Sequence, residues 1–226
     1  MLIDVINSYI ESLDIDKLKV VLEIASVKKK KNSSNIIGNA LKEYNPKTHN
    51  IHNKTLRQDK QIKNNEGEVT KTIKVARLSL AEQKKIVLLA SSFLGTPKLE
   101  SNPKDEKENE VLNIFEQIHN TNKMDYKFKE ICNRTLSETE CAEVWYLQQV
   151  EKNYWDNTIL QGKEFKLRCQ IISPALGYTL YPVFDEYGDM ILFACYYKRN
   201  EYIDGKSVEV YFMDVYTNEF IYLLRK

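Results

Sequence analysis

The hydrophobic positions change period once along the chain, near residue 165. Before it, apolar residues recur every three to four positions, as on one face of a helix. Ile3, Ile6, Tyr9, Ile10 and Leu13 predict a helix over Leu2–Leu13. Leu18, Val21, Leu22 and Ala25 predict a second over Asp16–Ser26, capped by Asp14 or Asp16. A third is expected over Ser34–Tyr44, before Asn45-Pro46. The stretch Ile73–Pro97 starts extended and basic, becomes a strongly apolar helix and stops at Gly95-Thr96-Pro97. Gly95 can take the left-handed conformation that closes a helix, and Pro97 cannot continue one. This is expected to be a core helix, with Leu88 and Phe93 buried. Two more helices are predicted, Glu108–Asn120 and Asp125–Gln149. Thr135…Glu138 and Ser137…Glu140 fit the capping box, so the second should kink or restart near Ser137.

From Phe165 onward the apolar residues alternate. Phe165–Ile172, Thr179–Phe184, Met190–Lys198, Ser207–Asp214 and Phe220–Leu224 read as strands joined by short Asp-, Gly- and Asn-containing turns. Consecutive strands with short turns form an antiparallel meander. The fold class is therefore α+β: N-terminal helices followed by a C-terminal antiparallel β-meander. Residues 46–72 are polar and rich in Lys, Asn and Gln, with Leu56 and Ile62 as isolated anchors and a turn at Asn65-Glu66-Gly67. The organisation expected is an N-terminal helical segment (1–45), an extended polar arm (46–72) and a helix-plus-antiparallel-sheet body (73–226). The stop directly after a strand suggests a body truncated at its C-terminus.

Charge changes this picture little. The net charge is +1, with 20 Lys+Arg against 15 Asp+Glu in residues 1–110 and 13 against 17 in residues 111–226. That asymmetry is far from the balance of a dedicated nucleic-acid module. Cys132, Cys141, Cys169 and Cys195 make no CxxC pair, which predicts free thiols in a reducing compartment. Met1–Leu13 lacks the basic and apolar regions of a signal peptide, and the longest apolar run, Ile86–Leu94, is half a membrane span. A soluble, cytoplasmically made chain without a membrane partner is expected.

Candidate chemistry is sparse. There is no GxxxxGK[ST], GxGxxG or GxSxG, and no cofactor is expected. His49 and His52 stand at a spacing metal ligands use, but in a polar Asn-rich stretch. His119 and Cys132 lack a visible orienting group. Glu138, Glu140 and Glu143, like Asp185, Glu186 and Asp189, suit helix starts and hairpin turns better than a hydrolytic pair. Lys28–Lys31, Lys71, Lys74, Arg77, Lys84 and Lys85 can meet a nucleic-acid backbone through charge, or form a solvated face.

Taken in order, the segments HNIHNKTLRQDK, an apolar helix ending in FLGTP, a charged loop, a helix pair containing ECAEVWYLQ, and a meander containing YPVFDEYGDMILFACYYKR and VEVYFMDVY resemble the N-terminal half of siphovirus-type tailed-phage portal proteins. Gly95 and Pro97 match that family's Gly-x-Pro helix end. Cys141, Ala142 and Glu143 match a following small-and-acidic helix. Pro182 and Asp185 match a Pro-x-x-Asp strand element, ahead of the aromatic strand Phe193–Tyr197 and the Val208–Phe212 strand. The likeness covers residues 46–226, and order and spacing carry it. It implies a wing-like part of a homo-oligomeric ring at one capsid vertex. The partners implied are capsid or scaffold protein, terminase, and phage DNA passing through the ring. The site implied is the virion, reached by assembly in the host cytoplasm, and the role is structural, not enzymatic. Two other readings stay open: an α+β ligand-binding or enzyme domain with a pocket between helices and sheet lined by Trp145, Tyr178, Tyr181 and Tyr196, and a nucleic-acid-binding module using residues 28–77.

Overall fold

A computed structural model describes residues 2–26, 33–95, 97, 103–203 and 205–226. The expected lysine run Lys28–Lys31 and Thr96 lie outside these residues. The body forms around a four-stranded antiparallel meander in the order β5 (Thr179–Phe184), β6 (Met190–Ile203), β7 (Lys206–Thr217), β8 (Ile221–Arg225). Alternation splits this sheet into two apolar faces. Tyr181, Val183, Leu192, Ala194, Met213, Val215 and Leu224 are buried on one face, against Ile6 and Ile10 of α1 (Leu2–Glu11) and Ile15, Leu18 and Leu22 of α2 (Ile15–Ala25). α1 and α2 thus supply five of the twelve buried residues of this core. Asp14 caps α2 through its carboxylate, which accepts the Lys17 N–H. The Tyr181 hydroxyl donates to Glu23 at this seam, and burial, with the nearby Glu23 carboxylate, pushes its pKa up.

The other face carries Leu180, Phe193, Cys195, Tyr197 and Tyr216, packed on Ala142, Val144 and Ile172 of a separate hairpin. That hairpin is β3 (Ala142–Gln149) paired with β4 (Phe165–Ile172), in register from Ala142↔Ile172 to Gln149↔Phe165. Two expectations are corrected here. The stretch after Glu138 is a strand, not the second half of a helix over Asp125–Gln149. And β4 leaves the meander to pair with it. The reason lies in the residues. Thr139 turns left-handed (φ 68°), its N–H returning to the Thr135 carbonyl, and stops α6 (Met124–Glu138). Beyond it Val144, Trp145 and Tyr146 favour the pleated backbone, and Ala142 and Val144 face the sheet while Glu143 is exposed. Trp155 (2% exposed) is buried in the connection, its indole N–H donating to the Phe165 carbonyl at 2.8 Å.

The remaining helices lie around α6. α5 (Glu106–Asn122) ends in a buried asparagine that works as a joint. The Asn122 side chain donates to the Ile118 and Leu167 carbonyls and accepts from the Cys169 N–H at 2.8 Å, fixing the helix to β4. α3 (Ser33–Tyr44) and α4 (Glu82–Phe93) pack on α6. Residues 46–72 contain a 3-10 turn and most of a β-hairpin. A 3-10 turn at Asn50–His52 leads to β1 (Lys60–Lys63), which pairs with β2 (Val69–Ile73) around the expected turn, where Gly67 has φ 85°. Leu56 (72% exposed) and Ile62 (41%) are not buried anchors.

Candidate functional site

The apolar helix that leads into Gly95, α4, does not behave as a core helix. α4 buries only Val87 and Ser91. Phe93 is 88% exposed, Leu94 65%, Ile86 64% and Leu89 60%, and Leu88 is 45% exposed. The expectation that Leu88 and Phe93 are buried is therefore corrected. The 3.6-residue period explains the division. Ile86, Leu89 and Phe93 lie on one line and form an outward ridge. Val87 and Ser91, with Lys84 and Leu88 beside them, turn toward α3 and α6. The helix ends as its sequence implies, at Gly95 with φ 65°. Leu78 (76%) and Leu80 (70%), in the segment leading into α4, extend the exposed apolar surface.

Behind α4 lies a cleft of about 930 Å³ against α3 and α6. Its floor is an ion cluster that the sequence reading did not single out. Arg134 donates to Glu130 (2.8 Å), to Glu138 (3.0 Å) and to the Ser173 hydroxyl (3.1 Å). Glu138, 3% exposed, also accepts the Ala175 N–H at 2.7 Å. Its carboxylate ties α6 to the turn after β4. Spacing of four residues along Glu130, Arg134 and Glu138 is a readable signal of such a ladder.

The second face of the sheet forms a groove against β3. One end, about 390 Å³, is apolar with Glu140 and Glu143 at its rim. The other, about 580 Å³, holds Tyr197, Arg199 and Asp214. Tyr197 stacks on Phe212 at 5.3 Å, carries the Arg199 guanidinium 4.8 Å from its ring, and donates its hydroxyl to Asp214 at 3.2 Å. Burial pushes the Asp214 carboxyl above its usual range, opposed by that hydrogen bond and by Arg199. Burial likewise pushes the Cys195 thiol up to about 12 and Cys141 to about 11, so neither is an activated nucleophile.

The residues singled out in the sequence are not drawn into one site. Glu143 stands exposed on β3 instead of on a helix, and Pro182 lines the same groove end from β5. Asp185 shapes the β5–β6 turn, accepting the Tyr187 and Asp189 N–H groups. Gly95 and Pro97 sit beyond α4. Among the cations, Lys71 and Lys74 are exposed near β2, Lys84 faces the cleft, and Lys85 pairs with Glu82 at 3.3 Å. Arg77 is committed inward, to Asp59 at 2.6 Å and to the Arg57 carbonyl. His49 bonds Glu43 (2.8 Å) and the Ile51 N–H, and His52 sits 3.0 Å from both the Pro46 carbonyl and the Ser79 hydroxyl. No group of three or more His, Cys, Asp or Glu is set to hold a metal among the described residues. The aromatic pocket expected between helices and sheet is corrected as well. Tyr181 and Tyr196 line the helix-packed face, whereas Trp145 and Tyr178 belong to the opposite one. No described helix is long and apolar enough to cross a membrane.

No protein-family model matches the chain, and no curated protein matches it in sequence.

Proposed function

We propose that this chain is a portal-like structural subunit, one of the copies that form a ring at a capsid vertex. The observation that carries the reading is the outward ridge of α4: Ile86, Leu89, Phe93 and Leu94, each 60% exposed or more, on one short helix and its end. Exposed apolar patches of this kind, rimmed by polar residues, mark protein–protein contact. A ring needs a heterologous contact between unlike surfaces of neighbouring copies. The likeness of residues 46–226 to siphovirus-type portals adds the identity of the ring. In it this chain is a non-enzymatic wing-like part, in the virion after assembly in the host cytoplasm. Capsid or scaffold protein and terminase are its partners there, and phage DNA passes through.

The test is native mass measurement across concentration, with electron-microscopic class averages of whatever assembles. Closed particles with rotational symmetry are expected. A chain that stays monomeric at every concentration contradicts the reading.

A further inference from the structure

The cleft behind α4 collects cations from three helices. Lys42 comes from α3, Lys84 from α4, and Lys129 and Arg134 from α6. Against these four positive charges the lining holds two carboxylates, Glu130 and Glu138, which leaves two positive charges in excess. Both carboxylates are taken up by Arg134, at 2.7 and 3.0 Å. Two acids next to the cleft are committed elsewhere. Glu43 pairs with His49 at 2.8 Å, and Glu82 with Lys85 at 3.3 Å. The excess therefore rests on Lys42, Lys84 and Lys129. A concave wall of one sign focuses its field and gathers ions of the other sign.

The cleft is also graded from rim to floor. The three lysines are exposed, whereas Ser91, Ser137 and Glu138 are buried. The Glu138 carboxylate, held by Arg134 and by the Ala175 N–H, occupies the floor and leaves no place there for a second anion. Leu41, Leu88 and Tyr44 add apolar and aromatic lining, and Tyr126, one turn before Lys129, is 69% exposed. Cations outside and an uncharged, partly aromatic wall within suit a ligand with an anionic end and an aromatic body. The volume of about 930 Å³ falls within the range of about 300–1,000 Å³ that small-molecule sites occupy.

We propose that this cleft binds a free nucleotide, with its phosphates on Lys42, Lys84 and Lys129 and its base against the Tyr44, Leu88 and Tyr126 lining. Ammonium groups serve phosphate as point charges, and a base stacks on an aromatic face whatever its sequence. The site uses none of the outward ridge of α4, so it stands or falls apart from the ring reading.

Isothermal titration calorimetry on the full chain tests this, with folding monitored by circular dichroism. ADP is the probe, compared with adenosine and inorganic phosphate as its two halves. ADP should bind about tenfold or more tightly than either half. Lys84→Gln with Lys129→Gln should weaken ADP about tenfold, through two lost charge-assisted contacts. Lys63→Gln with Lys71→Gln removes the same charge from residues that do not line the cleft, and should leave ADP binding unchanged. Tyr126→Ala should weaken ADP and leave inorganic phosphate as it was. No measurable ADP binding, equal losses from the two lysine pairs, or inorganic phosphate as tight as ADP would overturn the site. So would an oligothymidylate that binds through Lys84 and Lys129 while ADP does not, since the ligand would then be a strand.

Discussion

α2 and α4 are of similar length and both carry an apolar stripe, yet they end up in opposite environments. α2 places Leu18 and Leu22, each 0% exposed, against the sheet. α4 leaves Phe93 88% exposed and fixes itself through its smaller face, Val87 and Ser91. Apolar content alone does not decide which helix belongs to the core. α1 and α2 cover one face of the meander and the β3–β4 hairpin covers part of the other, while α4 packs on α6 and α3 instead. Its larger apolar side remains available to another molecule.

Substitutions can break or sharpen this contrast. The largest effect is expected at α2. Leu18→Ala should lower the unfolding free energy by about 2–5 kcal/mol in chemical denaturation, since the cavity opens inside the buried core that Leu18 shares with Tyr181 and Met213. A loss below 1 kcal/mol would show that α2 is no better seated than α4. Next comes the ion cluster behind α4. Arg134→Ala leaves the Glu138 carboxylate buried without its cation and should cost ~3 kcal/mol. Arg134→Met with Glu138→Gln should recover much of that loss, because removing both charges also removes the desolvation cost. An unchanged melting transition in Arg134→Ala would show that the cluster does not hold α6 to the sheet.

A smaller effect is expected in the groove. Burial raises the Asp214 carboxyl, so the folded chain binds this proton more tightly than the unfolded chain does. Stability from this group is therefore lost as pH rises from about 3.9, the unfolded value, through the raised folded value. Asp214→Asn should remove that decline and stabilise the chain at neutral pH by ~0.5 kcal/mol, a value discounted for the group's partial exposure. Denaturation midpoints of the two proteins compared from pH 4 to pH 7 check this. Parallel curves would mean that Tyr197 and Arg199 already offset the burial.

Much of the architecture was legible because period and turn chemistry agreed. β4 and β5 begin and end where alternation placed them, and α1 to α3 shift by no more than two residues at either end. The strand Ala142–Gln149 reads as helix in the sequence because Glu138 and Glu140 supply capping-box spacing with Thr135 and Ser137. The left-handed turn at Thr139, which ends the helix, has no glycine to announce it. The burial of α4 was not legible because a moderate apolar stripe looks the same whether it meets its own sheet or another copy. The Arg134 ladder is readable from the i, i+4 spacing of Glu130, Arg134 and Glu138. Asp214 was readable too, as a lone acid among Phe212, Met213, Val215 and Tyr216. What no local pattern contains is which β3 residues line up with Pro182 and Met190 across the groove, because that depends on how the hairpin folds back over the sheet.

The most direct measurement pairs unfolding with sedimentation for Phe93→Asp. If the α4 ridge serves contact between copies, this variant should unfold within about 0.5 kcal/mol of wild type, as exposed sites do, while losing self-association. A loss of several kcal/mol with association unchanged would return α4 to the core and contradict the account.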